Sequence, residues 1–507
     1  MTRLLIRSGK DPFTPVKAET TYTQDVFNSN SGNFLFQHAV WRHLSTPGAE
    51  LVSNGTLSER QPPGPDDAAR INEEFDHFVV PLANAFRPDF VRPLGNLTEL
   101  IEQLTIPVTV VGVGSQAALS LPTDAVDEVD EPTRRFVAAV LERSASIGVR
   151  GEFTRDHLVR LGFPASAVDV IGCPSLYLHG RDHAVTKKVD RLTDDSPLAL
   201  NLTPEVPGIG AFATEQAERH PNLVYLGQDK RDLALLLWGV EPVVEDPLVP
   251  VHLDHPLYRQ GRQAMFVDTW TWYDFLAERD FAYGTRFHGN VAALLAGTPA
   301  MLLAHDSRTL ELARYHRMPS IETPRFDAPI DVHALYEATD LAPFNAAMGK
   351  NFDRYVAFLE RNGLEHRYGP AGADPEFDAR LATVTLPRRV EPLGSDIREI
   401  ADRLQWIRNG MILDITRHAD RYQYPFEHPT WSGGGSRFAR RDAELRGKVA
   451  QLRRDDAALR KQLDRTRERL DATHARVIAL EQSRLRPRLG RLKQRLLRLV
   501  GLRRDAA

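Results

Sequence analysis

Arg286 and His288 stand two residues apart in the run Phe281-Ala282-Tyr283-Gly284-Thr285-Arg286-Phe287-His288-Gly289-Asn290. A guanidinium is a planar fork that matches a carboxylate or a phosphate, and an imidazole donates a proton near neutral pH. Together they suit a multiply charged anion with a general acid beside it. Their placement supports this. Phe281-Ala282-Tyr283 is apolar and aromatic, like the end of a buried strand, and Gly284-Thr285 is a turn. Apolar residues then recur at helical spacing (Val291, Ala292, Leu294, Leu295) until Gly297 stops the helix, and Pro299 opens the strand Ala300 to Ala304. The pair thus lies where a strand ends and a helix begins. Open α/β sheets bind ligands there, and helix N–H groups favour anions. His305-Asp306-Ser307-Arg308 closes the next strand in the same way. His305 and Arg308 are candidates for the same anion, whereas Asp306 is a natural helix N-cap. One such junction reads equally well as a polar loop; two adjacent strand ends carrying five such groups favour a site.

The run Asp280 to Pro299, with the strand and His305 to Arg308 after it, resembles the polysaccharide pyruvyl transferase family. That family shows an R-x-H signature before a small-residue helix, then G-x-P, a strand and a short polar motif. Ser146 to Glu152, with Arg150 before an acidic residue and a helix, is similar to a second family motif. The resemblance covers about Met1 to Asp340 and implies the activity. Phosphoenolpyruvate would be the co-substrate, with no cofactor and no metal. It would pass its enolpyruvyl carbons to a sugar of a cell-surface polysaccharide or of its lipid-linked precursor, usually as a ketal across two hydroxyls. His288 would protonate the methylene carbon, while Arg150 and Arg286 would hold the carboxylate and phosphate. Phe287, Gly289, Asn290, His305, Arg308, Gly112, Gly114 and Asn33 complete the expected substrate contacts, Asn33 standing where family members often carry Asp. Arg150 is equally placed to pair with Glu152 or Asp156. Two other readings stay open: a nucleotide-sugar glycosyltransferase on the same fold, and a non-catalytic coiled-coil scaffold.

A chain of 507 residues is long for one domain and suits two or three. Its 42% hydrophobic and 26% charged residues are those of an ordinary soluble protein. One cysteine, Cys173, excludes an internal disulfide and fits a reducing cytoplasm; ahead of Pro174 it reads as a buried structural thiol. No run of about 18 apolar residues predicts a membrane span. The opening MTRLLIRSG is too poor in apolar residues for a secretory signal, and Leu4 to Ile6 reads as the first strand.

Strand and helix alternate through residues 1–180, predicting a Rossmann-like domain. Asn28 to Asn33 is a polar loop before a helix running to about His43. Phe78 to Val80 is a strand, followed by Asn84. The strand Val108 to Val111 ends in Gly112-Val113-Gly114, whose glycines permit close approach to a ligand but lack the third glycine of a dinucleotide fingerprint. Thr123 to Pro132 reads as an acidic loop. Then come a helix from Thr133 to Arg143, the strand ending at Arg150, a helix to Gly162 and the strand Val168 to Ile171. Arg181 to Ser196 is a polar linker, and 197–340 reads as a second Rossmann-like domain carrying the R-x-H motif. Its strands are Leu198 to Leu202, Leu223 to Leu226 and Met265 to Val267; Trp270, Trp272 and Tyr273 after them read as core. The fold class is α/β, and two such domains face to face resemble the GT-B arrangement, with the site in the cleft.

Residues 341–435 read as a helical extension, with helices at Asn351 to Arg361 and Ile397 to His418, closing in a glycine hinge at Trp431 to Gly435. In 440–483, Leu445, Val449, Leu452, Leu459, Leu463, Leu470, Val477 and Leu480 keep a heptad interrupted at Asp456, Thr466 and Thr473, predicting a coiled coil and a homodimer. The tail 484–507 holds nine basic residues against one acid, Asp505, in a chain whose net charge is -4. Leu489, Leu492, Leu496, Leu499 and Val500 share one helical face, the pattern of a basic amphipathic helix on an anionic membrane. Nucleic acid is the rival there, but no aromatic residue offers stacking. The expected location is cytoplasmic, on the inner face of the membrane.

Overall fold

The computed structural model describes residues 2–116 and 129–394, positions 397, 398, 400, 401, 403 and 404, and in the C-terminal arm 451, 461, 472, 475, 476, 479 and 490–496. Two sheets carry the chain. The first holds β1 (Thr2–Ile6), β2 (Ala49–Ser53), β3 (His77–Pro81), β4 (Asn84–Phe86), β5 (Val108–Ser115), β6 (Ile147–Val149) and β7 (Val168–Val170). Their order is β2-β1-β3-β5-β6-β7, with β4 pairing β5. The second holds β8 (Leu198–Asn201), β9 (Leu223–Gly227), β10 (Gln263–Met265), β11 (Phe281–Gly284), β12 (Ala300–Ala304) and β13 (Ser320–Glu322), in the order β10-β9-β8-β11-β12-β13. Neighbouring strands run parallel in both. Strands covered on both faces need continuous apolar runs, and β3, β5 and β12 are buried at every position.

Each sheet reverses its winding once. The chain leaves β1 outward to β2 and comes back to β3, and in the second sheet it leaves β8 outward to β9 and β10 and comes back to β11. Such switch points open a crevice at the carboxyl ends of the two central strands. Arg7 and Leu82 lie just past one pair of strand ends, and Thr203 and Arg286 just past the other.

The two halves share one core. Leu4, Ile6, Val79 and Val111 of the first sheet join a single buried cluster with Ala199, Leu226, Ala282 and Leu302 of the second. The helix Gly32–Leu44 is buried on nearly every side between them, because it is apolar around most of its circumference. Trp272 and Tyr273 belong to the same cluster, in their expected core role. Lys10 and Asp268 form an ion pair 3.0 Å long with both side chains fully buried, joining the segment after β1 to the helix Thr269–Ala277. Removing one member of such a pair leaves an uncompensated charge and costs about 3–5 kcal/mol.

Some elements depart from the sequence reading. The helix placed at Thr133 begins at Asp130, inside the stretch read as an acidic loop, because Asp130 and Glu131 favour its first turn. The third strand of the second half is Gln263–Met265 rather than Met265 to Val267. The helix expected from Asn351 runs from Ala342 to Arg361, with Pro343 in its first turn. It packs on the first half: Tyr355 Oη lies 2.8 Å from His43 Nδ1, and Asn362 just beyond it donates to Ser146 Oγ at 3.0 Å.

Residues 1–434 form one compact unit and 435–507 another. Nearly all of the heptad from Leu445 to Leu480, and the helix expected at Ile397 to His418 beyond residue 404, lie outside the described residues. In the tail, residues 490–496 are helical and expose Leu492 and Leu496. Among the described residues no helix is long and apolar enough to cross a membrane.

Candidate active site

A cavity of about 270 Å3 opens where the strand ends of both sheets meet. Its walls come from Arg7 after β1, the loop holding Asn28, Asn30 and Asn33, the segment from Leu82 to Phe90, Arg150 after β6, Gln228 and Asp229 after β9, Arg286 to His288 after β11, and Arg308 after β12. Five arginines face one carboxylate, Asp229, along this wall. Arg150, Arg286, Phe287, His288 and Arg308 are therefore brought together, as their strand-end positions suggested, with Asn33 from the first turn of the helix Gly32–Leu44.

The arginines differ in how much of their charge is already used. Arg7 donates to Glu59 and to the Pro81 carbonyl. Arg286 donates to the Leu202 carbonyl at 2.8 Å and pairs with Asp229. Arg308 pairs with Asp306 at 3.1 Å. Arg150 is only 4% exposed, and its Nε has no hydrogen-bond partner. Glu152 and Asp156, its alternative partners, bind Arg155 instead. Burial pushes Arg150 down to about 10, with Glu311 opposing the fall and Arg308 adding to it. Burial also lowers Arg87, and Arg308 lowers it further. Among the described residues, unpaired guanidinium charge is thus concentrated at Arg150 and Arg87, where an anion would relieve it.

His288 sits on the first turn of the helix Phe287–Leu295, which no side chain caps, so its leading N–H groups remain for an anion. Burial, with Arg150 and Arg308 nearby, drives His288 down to about 3. Without ligand it is therefore a neutral imidazole. Its Nε2 lies 3.8 Å from Cys173 Sγ. That thiol is buried, donates to Ser175 Oγ and is raised by burial, consistent with a structural role.

Glycine and amide positions build the frame. Gly284 adopts φ +142° and approaches Asn201 so closely that a Cβ would lie 1.7 Å from its carbonyl oxygen. Asn201 then accepts the Thr285 N–H through that oxygen and the Arg286 N–H through Oδ1, both at 2.9 Å. A Cβ on Gly114 would meet Arg150 Nε at 2.1 Å, so this glycine leaves the channel in which Arg150 lies.

Besides Gly114, four expected contacts act from outside the cavity lining. Gly289 packs against Asn201 and Gln228, and Asn290 Nδ2 donates to the Gly284 and Arg286 carbonyls, so both positions hold the R-x-H turn. His305 leans on Asp306 at 3.6 Å, and Gly112 packs on Pro174. Asp306 caps its helix by accepting the Thr309 N–H at 2.8 Å. Asn33 lines the cavity while donating to the Phe27 carbonyl at 3.0 Å. The sequence reading missed Arg7, Arg87, Asn30, Asn84 and Asp229. Arg7 and Asp229 follow strands, a signal that could have found them; Arg87 follows the three-residue β4 and had none.

The strand ends of two doubly wound sheets thus bring five arginines and the His288 ring to one cavity. The chain belongs to the polysaccharide pyruvyl transferase family, whose model matches residues 30–307. It is thus a transferase, and pyruvyl transfer to polysaccharide is the activity of its family. No curated protein matches the chain. Among solved structures it is similar to UDP-GlcNAc 2-epimerase from Neisseria meningitidis bound to UDP-GlcNAc, at 11% identity over 71% of this chain and 100% of that one, with a TM-score of 0.39. It is also similar to the Methanocaldococcus jannaschii UDP-GlcNAc 2-epimerase in complex with UDP-GlcNAc and UDP, at 11% identity over 71% and 99%, with a TM-score of 0.38. Likeness at this level says nothing of activity.

Proposed function

We propose that the donor is phosphoenolpyruvate and that the product is a ketal across two hydroxyls of a sugar. The observation that carries this reading is Arg150, a buried guanidinium without an ion pair, set with Arg87 and Arg308 beside His288. A donor with a carboxylate and a phosphate needs two cationic seats, and the cavity offers them next to a proton source.

A proton goes to the methylene carbon as an acceptor hydroxyl oxygen bonds to C2 and releases its own proton, which restores the acid. The C2–O bond to phosphate then breaks, and the second hydroxyl closes the ketal and gives up its proton. His288 supplies the first proton. In the free protein, burial and arginine charge keep it neutral; a bound carboxylate and phosphate offset that field and raise its proton affinity. Arg150, Arg87, Arg308 and the leading N–H groups of the helix Phe287–Leu295 take the charge of the departing phosphate. Asn28, Asn30, Asn84 and Gln228 line the same cavity with neutral amides suited to sugar hydroxyls. A lipid-linked acceptor would fit the basic tail on an anionic membrane, with dimerisation through 445–480.

The test is to incubate the protein with phosphoenolpyruvate and lipid-linked sugars and to look for phosphate release with a pyruvate-sized mass gain. Consumption of a nucleotide sugar instead would replace this reading with a glycosyltransferase. His288→Ala should bind phosphoenolpyruvate yet lose turnover; near-normal turnover would remove the acid role.

A further inference from the structure

We propose that Asp194, His220 and His333 form a site for a divalent transition-metal ion such as Zn2+, away from the anion cavity. One ligand atom from each of the three lies within 4.8 Å of the others. Asp194 lies in the linker before β8, His220 between the helix Ile209–Arg219 and β9, and His333 in the helix Val332–Ala338. The site thus gathers at the amino-terminal ends of β8 and β9, while the cavity lies at the carboxyl ends of the same sheet.

His333 Nδ1 lies 3.2 Å from the Leu192 carbonyl oxygen, and its Nε2 lies 3.2 Å from Asp194 Oδ1. A neutral imidazole has one N–H and can donate to only one of these oxygens. With Nδ1 donating to the carbonyl, Nε2 turns a lone pair toward a carboxylate, and a cation between them satisfies both. Metal-bound histidines commonly fix their second ring nitrogen on a main-chain carbonyl in this way. His220 completes the cluster. It is fully buried, its ring centroid is 5.6 Å from that of His333, and neither of its nitrogens makes a hydrogen bond of good geometry, although the Asp194 main chain lies alongside. Two imidazoles and one carboxylate suit Zn2+, Co2+ or Ni2+ rather than Mg2+ or Ca2+. Asp194 is exposed, so water completes the coordination sphere. The ion would clasp the linker to two helices and leave the chemistry of the cavity untouched.

The full-length protein, stripped with a chelator and desalted, is titrated with Zn2+ by calorimetry, and its melting temperature is measured with and without the ion. One Zn2+ should bind per chain, resist excess Mg2+ and raise the melting temperature. Asp194→Asn and His333→Ala should each weaken binding by about tenfold or more, the scale that even outer partners of a metal show. The exposed Asp194 makes the first variant safe for folding, so these two decide the matter even if His220→Asn fails to fold. Absence of stoichiometric binding, or equal binding in wild type and both variants, would leave His333 and Asp194 as an ion pair and overturn the proposal.

Discussion

At the scale of single residues, Arg150 and Arg286 show why a motif arginine has to be read with its partners. Both follow strands and both face the cavity, but the Arg286 fork is spent on the Leu202 carbonyl and Asp229. Burial would raise Asp229, yet Arg286, Asn30 and Arg231 outweigh it and hold the carboxylate ionised. Arg286 therefore fixes the turn and sets the field, whereas Arg150 is available to an incoming anion. Arg150→Lys replaces a planar fork by a point charge. It should cost about 1.5–3 kcal/mol of phosphoenolpyruvate affinity, the worth of a hydrogen bond to a charged group, or roughly ten- to a hundredfold in Kd. Calorimetry showing an unchanged Kd would displace Arg150 from the donor seat. Arg286→Lys should differ in kind, lowering the melting temperature as well, because it loosens a pair that neutralises the half-buried Asp229.

At the scale of elements, the site depends on how closely strands and helices pass. Arg150 lies across β5 only because Gly114 has no side chain. In Gly114→Ala the new Cβ must push the guanidinium aside, so donor affinity should fall as in Arg150→Lys while the sheet persists; a variant with native affinity would show that Arg150 can act from a second position. This dependence marks what the sequence could reveal. Phe281 to Ala304 announced itself, because a strand, a turn, a helix and a strand follow one another with strong periodicity and explicit stop signals. The cavity's other walls are built from contacts between residues far apart in the chain. The polar loop Asn28 to Asn33 is joined to the second half, with Asn30 Nδ2 donating to Asp229 Oδ1 at 2.7 Å and Ser31 N–H to the Gln228 carbonyl at 2.9 Å. No local pattern encodes such a junction, and the three-residue β4 that delivers Arg87 is too short for periodicity to find.

At the scale of the whole molecule, the shared core carries an acid sensitivity. Burial holds His43, His288 and His316 at about 3 and His77 at about 4, below the usual 6.5. His316 Nε2 accepts the Cys173 N–H at 2.8 Å, so protonating it breaks a buried hydrogen bond. The unfolded chain takes up these protons as pH falls through about 6.5, while the fold refuses them, so stability is full above that pH and falls below it, by up to about 1.4 kcal/mol per pH unit for each histidine. Glu311, raised to about 7 by burial, opposes this as a single group. The melting temperature should therefore be level above pH 7 and drop steeply between pH 6 and 4; a level curve there would mean that these histidines are not held neutral. That sensitivity resides in residues 1–434, which form a compact unit with both sheets and the cavity. A chain ended at residue 434 should keep the acid-sensitive melting transition and the donor affinity of the full-length protein. By the heptad and the basic tail, it should lose dimerisation and low-salt sedimentation with anionic vesicles. A shortened chain that still dimerises would place the chain-to-chain contact in the catalytic unit, and one that no longer melts cooperatively would make the arm part of the fold.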